Sequence, residues 1–223
     1  MTTPIIQSTR LLILILPLGL NAQVLSSNGA TIFINNGGQL HCNGGVELNN
    51  NSILTNNGQL RTTKNATNIL AGTLSNNSTS DINGNGDYYV EQDWINDATF
   101  TANSSSVYLY GNTEQLITST NGTVSEFNQL VLQGNGTGVN RKKTLQSVNA
   151  RISSTGNLQI NNRELATGTN SMTVLNPSAS AVSNSQTMNA EGFVSSLPNG
   201  YLSWASNTNS AYLFPVGSSD GSL

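Results

Sequence analysis

The feature that most constrains this chain is a succession of very short apolar alternations, each broken by a turn rich in Asn and Gly. Ile32 and Ile34, Leu40 and Cys42, Val107 and Leu109, Leu130 and Leu132, Leu158 and Ile160, and Met172 and Val174 each place two apolar side chains on one face of extended backbone. Between them lie Asn-Asn-Gly, Asn-Gly-Asn-Gly and Gly-Asn-Gly clusters, whose residues accept positive φ and satisfy their own backbone, so the chain reverses there. Asn, Ser, Thr and Gly make up 107 of the 223 residues. All four are poor in helix interiors, and no stretch after residue 22 sustains apolar spacing of three and four. The chain reads as all-β.

A longer period overlies the alternation. Leu40 to Leu60, Leu132 to Ile152 to Met172, and Leu145 to Leu165 are each twenty residues apart, and Asn-Asn-Gly precedes both Leu40 and Leu60. A repeat of this length without helix signals predicts a right-handed parallel β-helix (β-solenoid), in which each coil lies on the previous one about 4.8 Å away and inward residues stack in columns. Asn at the bends then stacks into amide ladders. The competing architecture is a set of β-sandwich modules, and the simplest alternative is a flexible low-complexity linker. Alternation persisting over most of the chain argues against the linker.

Residues 1–22 read as an export signal: Arg10, the apolar run Leu11 to Leu20, then Asn21 and Ala22. The run is half the length needed to span a bilayer and contains Pro17 and Gly19. No second run in the chain is long enough to span, so no membrane span is expected after signal cleavage. Residues 23–178 form the β-helix repeat region, and residues 179–223 read as the start of a further, truncated β module. The single Cys42 cannot form an internal disulfide and reads as a small buried side chain; His41 beside it points to the opposite face.

Chemistry-bearing residues are sparse. One His, one Cys and eleven carboxylates leave little for acid–base, nucleophilic or metal chemistry, and a formal charge of −3 offers no field for gripping phosphates. Nucleic acid is not an expected partner. Asp81, Asn83, Asn85 and Gly86 occupy positions one, three, five and six of a calcium loop, but the twelfth is Gln92 rather than Glu, and no helix flanks it, so the segment reads as a turn. Tyr108 and Tyr110 share a strand face and form a candidate platform for stacking on sugar rings. Asp81, Asp87, Asp93 and Asp97 crowd one region, while Arg141, Lys142 and Lys143 sit in a distant run, Asn140 to Thr144, that reads as a solvated turn. Trp94 reads as a core plug and Trp204 as part of the following module. No catalytic, cofactor-binding or metal-ligating residue is assigned, and no cofactor is expected.

The phrases "DWINDATFTANSSSVYLYGNTEQLI" from Asp93, "FNQLVLQGNGTGV" from Phe127, "GNLQINN" from Gly156 and "YLFPVG" from Tyr212 resemble a family of very large secreted, adhesin-like surface proteins of bacteria that use type IX secretion. The resemblance covers most of residues 80–217 and rests on phrase order rather than on a catalytic motif. It implies an exported β-solenoid stalk without enzyme activity. The sorting domain usual in that family is absent from this sequence, so surface anchoring does not carry over. The expected function is therefore a non-catalytic, secreted or cell-surface spacer or adhesin-like scaffold. It would make weak, multivalent contact with extracellular glycans or cell surfaces and associate with itself end to end. The alternative is a carbohydrate-active β-helix enzyme or accessory carbohydrate-binding module, which requires carboxylates on adjacent coils.

Overall fold

The computed structural model describes residues 24–64, 68–186, 191–207 and 209–218. The export signal expected over residues 1–22 lies outside them. The short alternations become short strands that pair exclusively in parallel, as a parallel β-helix requires. One sheet has eight strands, in the order Leu25–Asn28, Val46–Asn49, Leu74–Asn76, Trp94–Asn96, Gln115–Thr118, Lys142–Gln146, Glu164–Ala166 and Phe193–Ser195. A second has four, Thr31–Ile34, Ile53–Asn56, Asp81–Asn83 and Thr99–Phe100. A third has nine and begins at Gln39–Cys42, Gln59–Thr62, Asp87–Val90 and Ser106–Leu109. In the first four coils the chain visits the three sheets in turn.

The second sheet ends at Thr99–Phe100, but its face continues. The strands Ser125–Leu132 and Ala150–Asn161 run round the corner unbroken, with a register shift between Phe127 and Gln129 that supplies the bend. Residues 150–152 then pair with residues 172–174, and residues 158–161 with Val182–Asn184. Pairing in these sheets continues past residue 178: Phe193–Ser195 lies on Glu164–Ala166, and Tyr201–Trp204 on Ser171–Val174.

Inward residues stack as the alternation predicts. Leu40, Leu60, Tyr88, Val107, Leu130, Leu158 and Val182 are successive register partners along the third sheet. Leu25, Val46, Leu74, Trp94, Ile117 and Leu145 do the same in the first. Trp94 meets Tyr88, Phe100 and Phe127 edge-on or tilted, with ring centroids 6.2, 4.8 and 5.5 Å away. Each such side chain taken from water contributes roughly 1.5–3 kcal/mol, and the columns together form one continuous core.

The twenty-residue period is only partly real. Hydrogen-bonded neighbours on successive coils of the first sheet are 21, 28, 20, 23 and 28 residues apart. Leu40 and Leu60 are register partners, but Leu132 stacks on Leu109, Ile152 on Phe127, Met172 on Ala150 and Leu165 on Lys143. The difference is absorbed in the connections between strands, whose length the core does not fix.

Asn and Gly take distinct roles at the corners. A Cβ on Gly58 would lie 2.2 Å from Gly38 O, and one on Gly86 2.3 Å from Gly58 O, so stacked corners approach too closely for any side chain. Asn side chains bridge coils: Asn77 Nδ2 donates to Asn49 Oδ1 (2.7 Å), and Asn76 Nδ2 to the buried Asn96 Oδ1 (2.9 Å). The expected amide ladder is therefore present, in short segments.

Candidate functional site

With apolar columns filling most of the interior, the polar side chains open to solvent lie on outward columns and at corners. On the third sheet one column of outward parity reads Gln39, Gln59, Asp87, Ser106, Gln129 and Asn157, each the register partner of the next, with Ser106 buried beneath its neighbours and donating to Gln129 Oε1 at 3.5 Å. Two residues along the strand lies a second: His41, Arg61, Tyr89, Tyr108, Val131 and Gln159, of which Val131 is buried. The sheet thus presents a strip of amides and one carboxylate beside an aromatic and cationic strip.

Tyr108 and Tyr110 do share the outward face, but they do not form an open platform. Tyr89, overlooked because its pairing with Tyr108 depends on the length of an irregular coil, stacks on Tyr108 with centroids 4.4 Å apart and planes within 4°. The Arg61 guanidinium lies 5.4 Å from the Tyr89 ring centroid and 4.4 Å from that of Tyr110. The Tyr110 hydroxyl donates to Thr62 O at 2.6 Å. These ring faces meet one another and the guanidinium, so the cluster reinforces the stack, and burial pushes the Tyr89 and Tyr110 phenols up.

The four aspartates do not converge. Asp81 lies on the second sheet and Asp87 on the third, while Asp93 and Asp97 flank the first-sheet strand Trp94–Asn96. Asp81 Oδ2 accepts from Asn83 Nδ2 at 3.0 Å, and the backbone from Asp81 to Asp87 runs as two strands joined by a turn, not as a loop wrapped around a cation. Among the described residues no group of three or more His, Cys, Asp or Glu could hold a metal ion. Asp93 accepts from Leu116 N at 2.8 Å, and burial raises its carboxyl above the ordinary range despite that bond. Asp97 accepts from Ser119 Oγ, Thr120 N and Thr120 Oγ1 at 2.8, 2.6 and 2.7 Å. Its partial burial acts upward, but those hydrogen bonds outweigh it and hold the carboxyl low. Both residues fasten the following coil.

The basic run departs from the expected solvated turn. A short 3₁₀ turn, Gly138–Arg141, leads into the strand Lys142–Gln146, where Lys143 faces inward and is 0% exposed. Its register partners are Gln115 and Leu165. Lys143 Nζ donates to Gly111 O (2.9 Å) and Gln115 Oε1 (2.5 Å), while Gln115 Nε2 donates to Val90 O (2.9 Å). Arg163 Nη1 reaches Gly136 O at 2.6 Å. Turn carbonyls enclosed at this corner need donors, and these long side chains supply them from inside the tube. Burial, with a smaller contribution from Arg163, pushes the Lys143 ammonium down to about 7.

One grouping was not anticipated. Lys142 is the register partner of Glu164, with Nζ 3.9 Å from Oε1, and Thr144 Oγ1 donates to Glu114 Oε1 on the preceding coil at 2.6 Å. Ser195 Oγ donates to Glu164 Oε1 at 2.6 Å. Glu164, itself buried, thus pairs with Lys142, while Glu114 on the preceding coil is held by Thr144, and Glu114, Lys142 and Thr144 line one shallow depression. The signal was available only from register, since Glu114, Lys142 and Glu164 are far apart in sequence.

No protein family, curated protein or solved structure matches this chain. Among the described residues no helix is long and apolar enough to cross a membrane.

Proposed function

We propose that this chain is a non-catalytic segment of a secreted or cell-surface β-solenoid, acting as a spacer or adhesin-like scaffold that touches glycans or surfaces through its outward polar columns. The observation that carries this reading is the third-sheet column Gln39, Gln59, Asp87, Gln129 and Asn157, five solvent-reaching polar side chains in register, interrupted by the buried Ser106. At a coil rise of about 4.8 Å, such a strip offers repeated hydrogen bonds along an extended polyhydroxylated chain, each weak, with affinity arising from their number. The mutual stacking of Tyr89 and Tyr108 favours contact through these polar groups over ring stacking. The apolar run at residues 11–20 and the resemblance to type IX surface proteins support export.

Sedimentation with insoluble neutral polysaccharides, comparing the native chain with Gln59→Ala/Gln129→Ala, tests the contact. Weak binding that the double variant reduces is expected; tight one-to-one binding unaffected by it would overturn this surface. The enzyme reading rests on the Glu114, Lys142 and Glu164 grouping. Release of sugar products by the native chain, lost in Glu164→Gln, would establish it in place of the scaffold.

A further inference from the structure

Nine Asn–Gly steps punctuate the sequence. An Asn–Gly step converts spontaneously when the glycine nitrogen attacks the Asn carboxamide carbon. That reaction needs a free carboxamide, an unengaged N–H and room for the backbone to rotate. The corner between the second and third sheets carries three of these steps on successive coils, Asn36–Gly37, Asn57–Gly58 and Asn85–Gly86; the last two are in register, the first lies one residue out of step because Gly58 stacks on Gly38, and the fold treats it differently.

Asn57 Oδ1 accepts from Asn85 N (3.2 Å), and Gly58 N donates to Asn56 Oδ1 (3.1 Å). Asn85 Oδ1 accepts from Ser104 N and Oγ (3.3 and 2.9 Å), and Gly86 N donates to Asn56 O (2.8 Å). Both glycines are also pressed against neighbouring backbone. Elsewhere the steps are restrained in one way or another. Asn28, Asn43, Asn83 and Asn121 have engaged carboxamides, Gly200 N donates to Leu197 O, and a Cβ on Gly136 would fall 2.4 Å from Asn140 O.

Asn36–Gly37 differs on every count. Gly38 N donates to Asn35 O at 2.8 Å, which makes Asn36 and Gly37 the two central residues of a turn, with Gly37 at φ +76° as a type II turn requires. Asn36 is exposed, and nothing lies within 4 Å of a Cβ placed on Gly37. Among the described residues, neither the Asn36 carboxamide nor the Gly37 N–H has a hydrogen-bond partner.

We infer that Asn36–Gly37 is a self-modification site at which this protein converts Asn36 to aspartate or isoaspartate while Asn57 and Asn85 on the following coils stay intact. A bond forms between Gly37 N and Asn36 Cγ, the Cγ–Nδ2 bond breaks, and ammonia departs with the proton from Gly37 N. Water then opens the cyclic imide at either carbonyl. The product adds a negative charge, and the isoaspartate form adds a backbone methylene, in the turn on which Gly58 of the next coil rests. Conversion therefore loosens the first coil from the second.

The test is peptide mapping by mass spectrometry after incubation of the folded chain at mildly alkaline pH, beside a sample held in denaturant. In denaturant the Asn36, Asn57 and Asn85 peptides convert together. In the folded chain only Asn36 keeps its denatured-state rate, and Asn57 and Asn85 fall far behind. Equal rates for the three in the folded chain, or an Asn36 peptide as slow as the other two, would overturn the assignment. An Asn36→Ser variant, in which Asn57 and Asn85 stay slow, checks that the turn itself still folds.

Discussion

At the scale of single residues, the informative ones break the composition's rule of small, uncharged side chains. Lys143 is a cation inside an apolar tube, held by Gly111 O and Gln115 Oε1. Its ammonium is pushed from the ordinary 10.5 down to about 7. The unfolded chain therefore binds a proton that the folded chain lacks across that window, so this group makes stability rise with pH from about 7 to 10.5 and leaves it level below about 7, where both states are protonated. Urea midpoints measured from neutral to alkaline pH should increase, and Lys143→Met should flatten the increase; an unchanged slope in the variant would refute the assignment. The inward direction was legible, since Lys143 and Leu145 alternate with Lys142 and Thr144. Three consecutive cations masked it, because the need of an enclosed corner for donors is not visible in a linear sequence. The tyrosine cluster shows the same limit: Tyr108 and Tyr110 could be placed on one face by alternation, but not Tyr89 against Tyr108.

Strands and turns carry most of what could be read in advance. Parity within each strand assigned Leu130, Leu158 and Val107 to the interior, because side-chain direction in extended backbone is a local property. The positions of the turns were equally local. Register between coils was not, because turns tolerate insertions at little cost to the core. The coincidence of Leu132, Ile152 and Met172 at twenty-residue spacing was therefore accidental, while Leu40 and Leu60 are true partners. Strand edges give a prediction at this scale. Among the described strands Thr31–Ile34 and Tyr201–Trp204 each pair on one side only, and Phe33 and Tyr201 are 57% and 53% exposed. Such edges template further strands. Sedimentation velocity over a range of concentrations should show end-to-end association of the chain, and a monodisperse monomer at the highest concentration would count against it.

Across the whole molecule, the stacked coils make a tube, and its length is the principal property of the fold. Low charge and a polar exterior follow from the composition; the division of labour among Asn ladders, glycine corners and buried cations follows from stacking. The central claim is that the coils lie in register along one axis, which a distance measurement addresses directly. Ser26, Glu47, Ser75, Ile95, Thr118 and Gln146 form one column of the first sheet. Spin labels at positions 26 and 146, in a Cys42→Ala background, are separated by five coil rises, about 24 Å. Pulsed electron paramagnetic resonance should give a single narrow distribution close to that value, allowing for the label arms. A broad distribution, or one centred well away from it, would contradict the solenoid.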